Sequence, residues 1–137
     1  MIRFNYRKQK SKAFGNIYRP MGEILLIYER KVKETFYIDS GADVTLIPRS
    51  VGELLGLKIK DDDKIIDLYG IGDAAISAVI KGIKIKVGEH EIPVHVGWAL
   101  TEKIPLILGR MDVFNRFKIV FDEKKKEIIF EWINRGR

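Results

Sequence analysis

Alternation of apolar and polar positions dominates this chain. Ile83, Lys84, Ile85, Lys86 and Val87 switch faces residue by residue, and Ile92, Val94 and Val96 resume that period after Gly88-Glu89. The pattern predicts a hairpin of two half-buried strands. Residues 2–6 alternate too and predict a first strand. Residues 24–28 and 33–38 predict two more, joined by a turn at Glu29-Arg30-Lys31. Further strands are predicted at 65–69, 76–80 and 106–108, and a final pair at 118–122 and 127–133 is joined by Glu123-Lys124-Lys125-Lys126. Helical spacing is confined to two places. Val51, Leu54 and Leu55 between Pro48 and Gly56 predict a short helix over residues 48–55. Residues 111–117 can form a second. Residues 8–12 and Asp61-Asp62-Asp63 predict polar loops, and the aspartate run lacks the spaced ligands and distal glutamate of a calcium loop. Many short strands with turn signals between them predict a mainly β domain closed as a barrel or sandwich.

Composition narrows this picture. A chain of 137 residues suffices for one domain with a real core. It contains no cysteine, which excludes a disulfide framework and thiolate chemistry. Residues 1–7 show no apolar leader core, and no apolar run is long enough to span a bilayer. A cytoplasmic protein is the expectation. The charge is uneven. Residues 1–33 hold nine Lys/Arg against two Glu, a balance of +7, so the remainder sums to −1 of the net +6. The chain therefore divides into a basic N-terminal strand or arm (1–19), a folded domain (20–133) and a short tail (134–137). A nucleic-acid contact is conceivable only through residues 1–33, and there is neither zinc-finger spacing nor a run of stacking aromatics on a basic strand.

Candidate chemistry is sparse. Gly70-Ile71-Gly72-Asp73-Ala74-Ala75 matches a dinucleotide-binding pattern, but that motif needs a helix after it, and strand-like Ile and Val follow. A glycine pair between strands is better read as a hairpin tip. His90 and His95 are an odd number of residues apart on one strand and face opposite sides, so they do not share a metal. No Ser-His-Asp arrangement can be assembled, and neither a metal nor a cofactor is expected. What stands out is Asp39-Ser40-Gly41, set between the apolar runs 36–38 and 44–47. An unpaired carboxylate buried there is expensive, so Asp39 requires a compensating partner.

Asp39-Ser40-Gly41-Ala42, then the glycine pair at 70–72, then Leu108-Gly109-Arg110 before a short helix occur in a fixed order. In these motifs the chain resembles the retropepsin-like aspartic proteases over residues 20–133. The resemblance implies a closed β-barrel with a flap hairpin and one or two short helices. It implies that Asp39 is the catalytic aspartate and that Ser40 locks two active-site loops together across a dimer. Gly41 and Ala42 complete the active-site loop, with Gly41 offering backbone contacts to substrate. Asp43 would touch the substrate main chain or pair with Arg110. Gly70, Ile71 and Gly72 would form the flap tip, and Leu108 with Gly109 the strand behind the loop. Two departures from the family bear on its dimer interface: the basic segment before residue 20 and the tail beyond residue 127.

Carboxylate-driven peptide hydrolysis needs two carboxyl groups, one to accept a proton and one to donate. The chain has a single Asp-Ser-Gly. A homodimer that brings two copies of Asp39 together on its axis supplies the pair, with an extended polypeptide as substrate. Leu46, Ile71, Ile76 and Leu106 are candidates to line its pockets. Two other readings stay open: a catalytically silent barrel that binds a peptide or protein, and a basic nucleic-acid-binding module.

Overall fold

The computed structural model describes residues 1–69 and 74–133. Its chain runs β1 (Ile2–Asn5), β2 (Arg7–Ser11), β3 (Gly15–Arg19), β4 (Met21–Ile27), β5 (Lys31–Ile38), β6 (Thr45–Ile47) and α1 (Arg49–Leu55). It continues with β7 (Ile65–Tyr69), β8 (Ala75–Val87), β9 (His90–Ala99), β10 (Ile107–Leu108), β11 (Phe117–Asp122) and β12 (Glu127–Trp132). Six strands in the order β4-β5-β10-β6-β9-β8 close into a barrel through pairing of β4 with β8, from Leu25 opposite Lys86 to Ile27 opposite Lys84. β7 adds to the free edge of β8. The period of two read from the sequence places the core. Ile83, Ile85, Val87, Ile92, Val94 and Val96 are buried, while Lys84, Lys86, Glu91 and His95 face out. Ile24, Leu26, Phe36 and Ile38 fill the barrel from β4 and β5.

One end is covered by a three-stranded sheet in the order β1-β12-β11. It is fastened by aromatic packing: Phe4 meets Phe130 edge-on at 5.6 Å, and Phe117 meets Phe130 at 5.3 Å. The His90 ring stacks on Trp132 at 4.3 Å, on the opposite face of β9 from His95. α1 buries Val51 and Leu55. Leu54, expected on the same face, is exposed; residues 51, 52 and 55 form the inward side of this helix of about two turns. Pro48 offers no capping side chain, and Glu102 supplies what is missing by accepting hydrogen bonds from the Ser50 backbone N–H and, at 2.7 Å, its hydroxyl. Gly56 ends the helix in the left-handed region at φ 94°.

Three expectations change. Residues 8–12 are not a loop: residues 7–11 are β2, paired with β3 as a separate two-stranded hairpin. One face of that hairpin is solvated throughout, so no apolar alternation marks it. Residues 111–117 do not form a helix: residues 111–116 are hydrogen-bonded turns and Phe117 opens β11. Asp112 adopts φ 67°, which a helix does not accommodate, and so presents its carboxylate to the His95 backbone N–H at 2.8 Å and to the His95 ring at 2.9 Å. The strands expected at 76–80 and 83–87 are one strand of 13 residues, β8. Because β8 opens at Ala75, no helix follows the glycine pair, in keeping with the rejection of a dinucleotide site.

Burial raises the Asp112 carboxyl pKa, but hydrogen bonds from the His95 backbone and ring, with the nearby Arg116, outweigh it, and the net value lies below the usual one. A lowered folded pKa means that this contribution is fully present above the unfolded value, about 3.9, and is lost as pH falls through the folded value. The stability difference between wild type and Asp112→Asn should accordingly be present at about pH 5 and shrink toward about pH 2.5 in thermal unfolding. An equal difference at both values contradicts this linkage.

Candidate active site

β5 carries the chain out of the core through Ile38, and the sheet ladder stops at Asp39, whose N–H donates to the Leu108 carbonyl at 3.1 Å. The chain then turns. The Gly41 N–H donates to Asp39 Oδ1 at 2.9 Å, and the Ala42 N–H donates to the Asp39 carbonyl at 3.2 Å. This is the local turn that an aspartate side chain favours by mimicking a backbone acceptor. The chain re-enters the barrel as β6.

β10 lies between these two arms. It runs parallel to β5, with Leu108 opposite Ile38, and antiparallel to β6, with Ile107 opposite Leu46. The residues after it fasten the loop. The Gly109 N–H donates to the hydroxyl of fully buried Thr45 at 3.1 Å. The Arg110 N–H donates to the Ala42 carbonyl at 2.9 Å, and the Met111 N–H to the Asp43 carbonyl at 2.8 Å. The Arg110 guanidinium pairs with the Asp43 carboxylate. Gly109 is required by close approach, since a Cβ there would stand 2.5 Å from the Val44 carbonyl carbon.

The sequence-selected residues are thus distributed as follows. Asp39, Ser40, Gly41, Ala42 and Asp43 form one loop, and Leu108, Gly109 and Arg110 are brought from far along the chain to brace it. Gly70, Ile71 and Gly72 lie outside the described residues; β7 and β8 pair up to Tyr69 opposite Ala75 on either side of them. Leu46, Ile76 and Leu106 are half-buried. The expectation of a buried Asp39 is corrected. Asp39 is half-buried at a strand end, and Ser40 and Gly41 beside it are exposed. One carboxylate oxygen is held by Gly41; among the described residues the other makes no hydrogen bond. Among those residues it is an acceptor open to a hydrogen bond from a ligand or water.

Thr45 was missed by sequence reasoning, although it is the single polar residue within the apolar run 44–47. Pro20, whose carbonyl accepts the Ile38 N–H at 2.9 Å, had no signal at all. Among the described residues, no group of three or more His, Asp or Glu is placed to hold a metal, and no helix is long and apolar enough to cross a membrane.

Comparison with known proteins agrees with this geometry. The profile of a family described as aspartyl protease matches residues 27–111, which include both the Asp39 loop and its brace. No curated protein matches the chain in sequence. Among solved structures, a retropepsin-like aspartic protease from Rickettsia conorii is similar at a TM-score of 0.61 and 18% identity, over 93% of this chain and 98% of the other. The EIAV protease in complex with an inhibitor is similar at a TM-score of 0.50 and 20% identity, over 71% and 86% of the two chains. The barrel is therefore a retropepsin-like fold.

Replacing Thr45 by Val leaves the Gly109 N–H buried without its acceptor, at a cost of about 1–3 kcal/mol. Urea unfolding should register that loss, and Thr45→Ser, which keeps the hydroxyl, should recover most of it. A Thr45→Val protein within about 0.5 kcal/mol of wild type would show that the hydroxyl does not fasten the loop.

Proposed function

The chain belongs to the aspartyl protease family, and from that premise we propose that it hydrolyses peptide bonds with two Asp39 carboxyl groups, one from each of two copies of the chain. A single observation carries the reading. The chain has one Asp-Ser-Gly, and the fold holds it on a braced loop whose outer side, at Ser40 and Gly41, is open. A two-fold axis passing beside that loop brings identical residues into contact.

Two carboxyl groups so placed share one proton, because two like charges in contact do not both ionise cheaply. The ionised Asp39 takes a proton from water as the water oxygen attacks the scissile carbonyl carbon. The protonated carboxyl of the partner subunit's Asp39 gives its proton to the carbonyl oxygen. Asp39, now protonated, gives its proton to the amide nitrogen of the gem-diol; as the C–N bond breaks, a gem-diol hydroxyl returns its proton to the partner subunit's Asp39, and the amine and carboxylic acid leave the pair singly protonated. Gly41 keeps Asp39 Oδ1 fixed throughout, so reorganisation of the carboxylate costs little. Ser40 is assigned to bond across the two loops, a role supported by its exposure next to Asp39. Gly41 and Ala42 border the path of an extended substrate, and Asp43, already held by Arg110, presents its remaining acceptor capacity to the substrate backbone. Gly70, Ile71 and Gly72 are assigned to the hairpin tip that covers the substrate and excludes water.

Asp39→Asn should lower cleavage of an unfolded polypeptide by about 10²–10⁴-fold or more, and wild-type activity should follow a bell-shaped pH profile. Mixing the two proteins in equal amounts and allowing exchange should leave about a quarter of the activity of the same total amount of wild type, because only dimers of two wild-type chains are competent. Activity near one half would mean that each chain acts alone. A wild type that cuts nothing between about pH 3 and 8 favours a barrel that binds without cutting.

A further inference from the structure

The hairpin of β2 and β3 is not used by the chemistry above. It forms a sheet of its own, and each of its strands has one edge free of any partner among the described residues. Residues 7–19 contain Arg7, Lys8, Lys10, Lys12 and Arg19 and no acidic residue. All five cations are exposed, and none enters an ion pair among the described residues. Register makes this more costly. Arg7 lies directly opposite Arg19, and like charges in facing positions destabilise a hairpin.

The two faces differ. Gln9 turns inward, where its carbonyl accepts the Tyr37 hydroxyl at 3.0 Å. Arg19 lies 5.9 Å from the centre of the Tyr37 ring. Tyr37 is two residues ahead of Asp39 on β5, so the hairpin is rooted beside the catalytic loop. Lys8, Lys10 and Tyr18 share the opposite, outward face, with Lys8 facing Tyr18 across the strands. Phe14 at the tip is 80% exposed and Tyr18 49%. Lysines on a free strand edge also guard against edge-to-edge aggregation. Such a guard has no use for a fully displayed phenylalanine, whereas cations interleaved with aromatic rings make a docking surface.

We propose that this hairpin is an exosite for an acidic segment of the polypeptide substrate, which it holds beside the Asp39 loop. The inference rests on the protease reading for the identity of the ligand. The ligand is taken to be a polypeptide because the hairpin, through Gln9 and Arg19, rests on Tyr37 of the strand that leads into the candidate site for extended peptides. Lys8 and Lys10 project on one face about 7 Å apart, the spacing of alternate residues in a strand. An extended peptide with Asp or Glu at alternate positions presents carboxylates at the same interval, and the free hairpin edge offers it main-chain hydrogen bonds.

The test uses the full chain carrying Asp39→Asn, so that binding is read without cleavage. Two fluorescein-labelled peptides share an apolar centre and differ in flanks, with Glu or Gln at alternate positions. Fluorescence anisotropy should show the Glu peptide binding about tenfold more tightly, the size expected of a few exposed ion pairs. Adding Lys8→Gln, Lys10→Gln and Lys12→Gln together should remove that advantage, as should raising salt from about 50 to 300 mM. Circular dichroism checks that the triple variant is folded, and Phe14→Ser, which leaves every charge in place, should weaken the Glu peptide as well. Equal binding of the two peptides overturns the exosite. So does a single-stranded oligonucleotide of equal charge that binds more tightly than the Glu peptide and displaces it. Cleavage by the unsubstituted chain is read separately. A Glu preference in binding without any cleavage supports the exosite while removing the protease reading, and cleavage of both peptides with equal KM does the reverse.

Discussion

A two-residue strand, β10, holds the candidate site together. It lies between β5 and β6, the two arms of the Asp39 loop, and pairs with both. The chain can pass there only because Gly109 has no side chain to meet Val44, and it is fastened there by a hydroxyl, that of Thr45, in a position otherwise given to apolar residues. From Leu108 to Met111 each residue makes a backbone hydrogen bond to the loop or its following strand. The shape of residues 39–43 is thus imposed by a segment more than sixty positions away, and little of it is left to the loop's own preferences. Placement of a reactive group to within about half an ångström depends on support of this kind.

The rest of the fold serves that arrangement at a distance. The barrel closes through β4 and β8, which leaves its long strands no free edge along their paired length. The end sheet packs Phe4, Phe117 and Phe130 edge to face against one another, a cluster assembled from both ends of the chain. Charged side chains lie mostly outside, and two pairs among them shape the chain. Lys81 and Asp63 form a pair in which both side chains are largely covered, at 2.6 Å. Asp112 reaches back to His95 and in doing so directs the chain from the Asp39 brace into β11.

Electrostatics divides the molecule by function. The surplus of positive charge read from residues 1–33 is not spread over a loose arm. β1 is built into the end sheet, and the unpaired cations are concentrated on the β2–β3 hairpin beside Tyr37. A carboxylate site and a basic ribbon are thereby neighbours. Long-range attraction of an acidic chain toward the site is what the proposed exosite draws on.

Much of this was legible in the sequence, because each barrel strand buries one face and so writes its period into the residues. Ile83 to Val96 were placed correctly by alternation alone, as was the helix stop at Gly56. The Asp-Ser-Gly loop and the Leu-Gly-Arg brace were legible as motifs in order. What failed did so for physical reasons. β2 has no buried face to reveal it, and it therefore read as a loop. Residues 111–117 were expected to form a short helix, but Asp112 leaves helical geometry to bond His95. Asp39 has apolar neighbours in sequence, yet a strand end puts it half in solvent. The sequence by itself determined which barrel-strand residues face the core and which residues are candidates for chemistry, since both are properties of residue type and spacing. Only the tertiary structure decided that Gly109, Thr45 and Arg110 meet the Asp39 loop and that the Lys8 strand runs beside Tyr37. Those contacts join distant parts of the chain, and no local pattern encodes them.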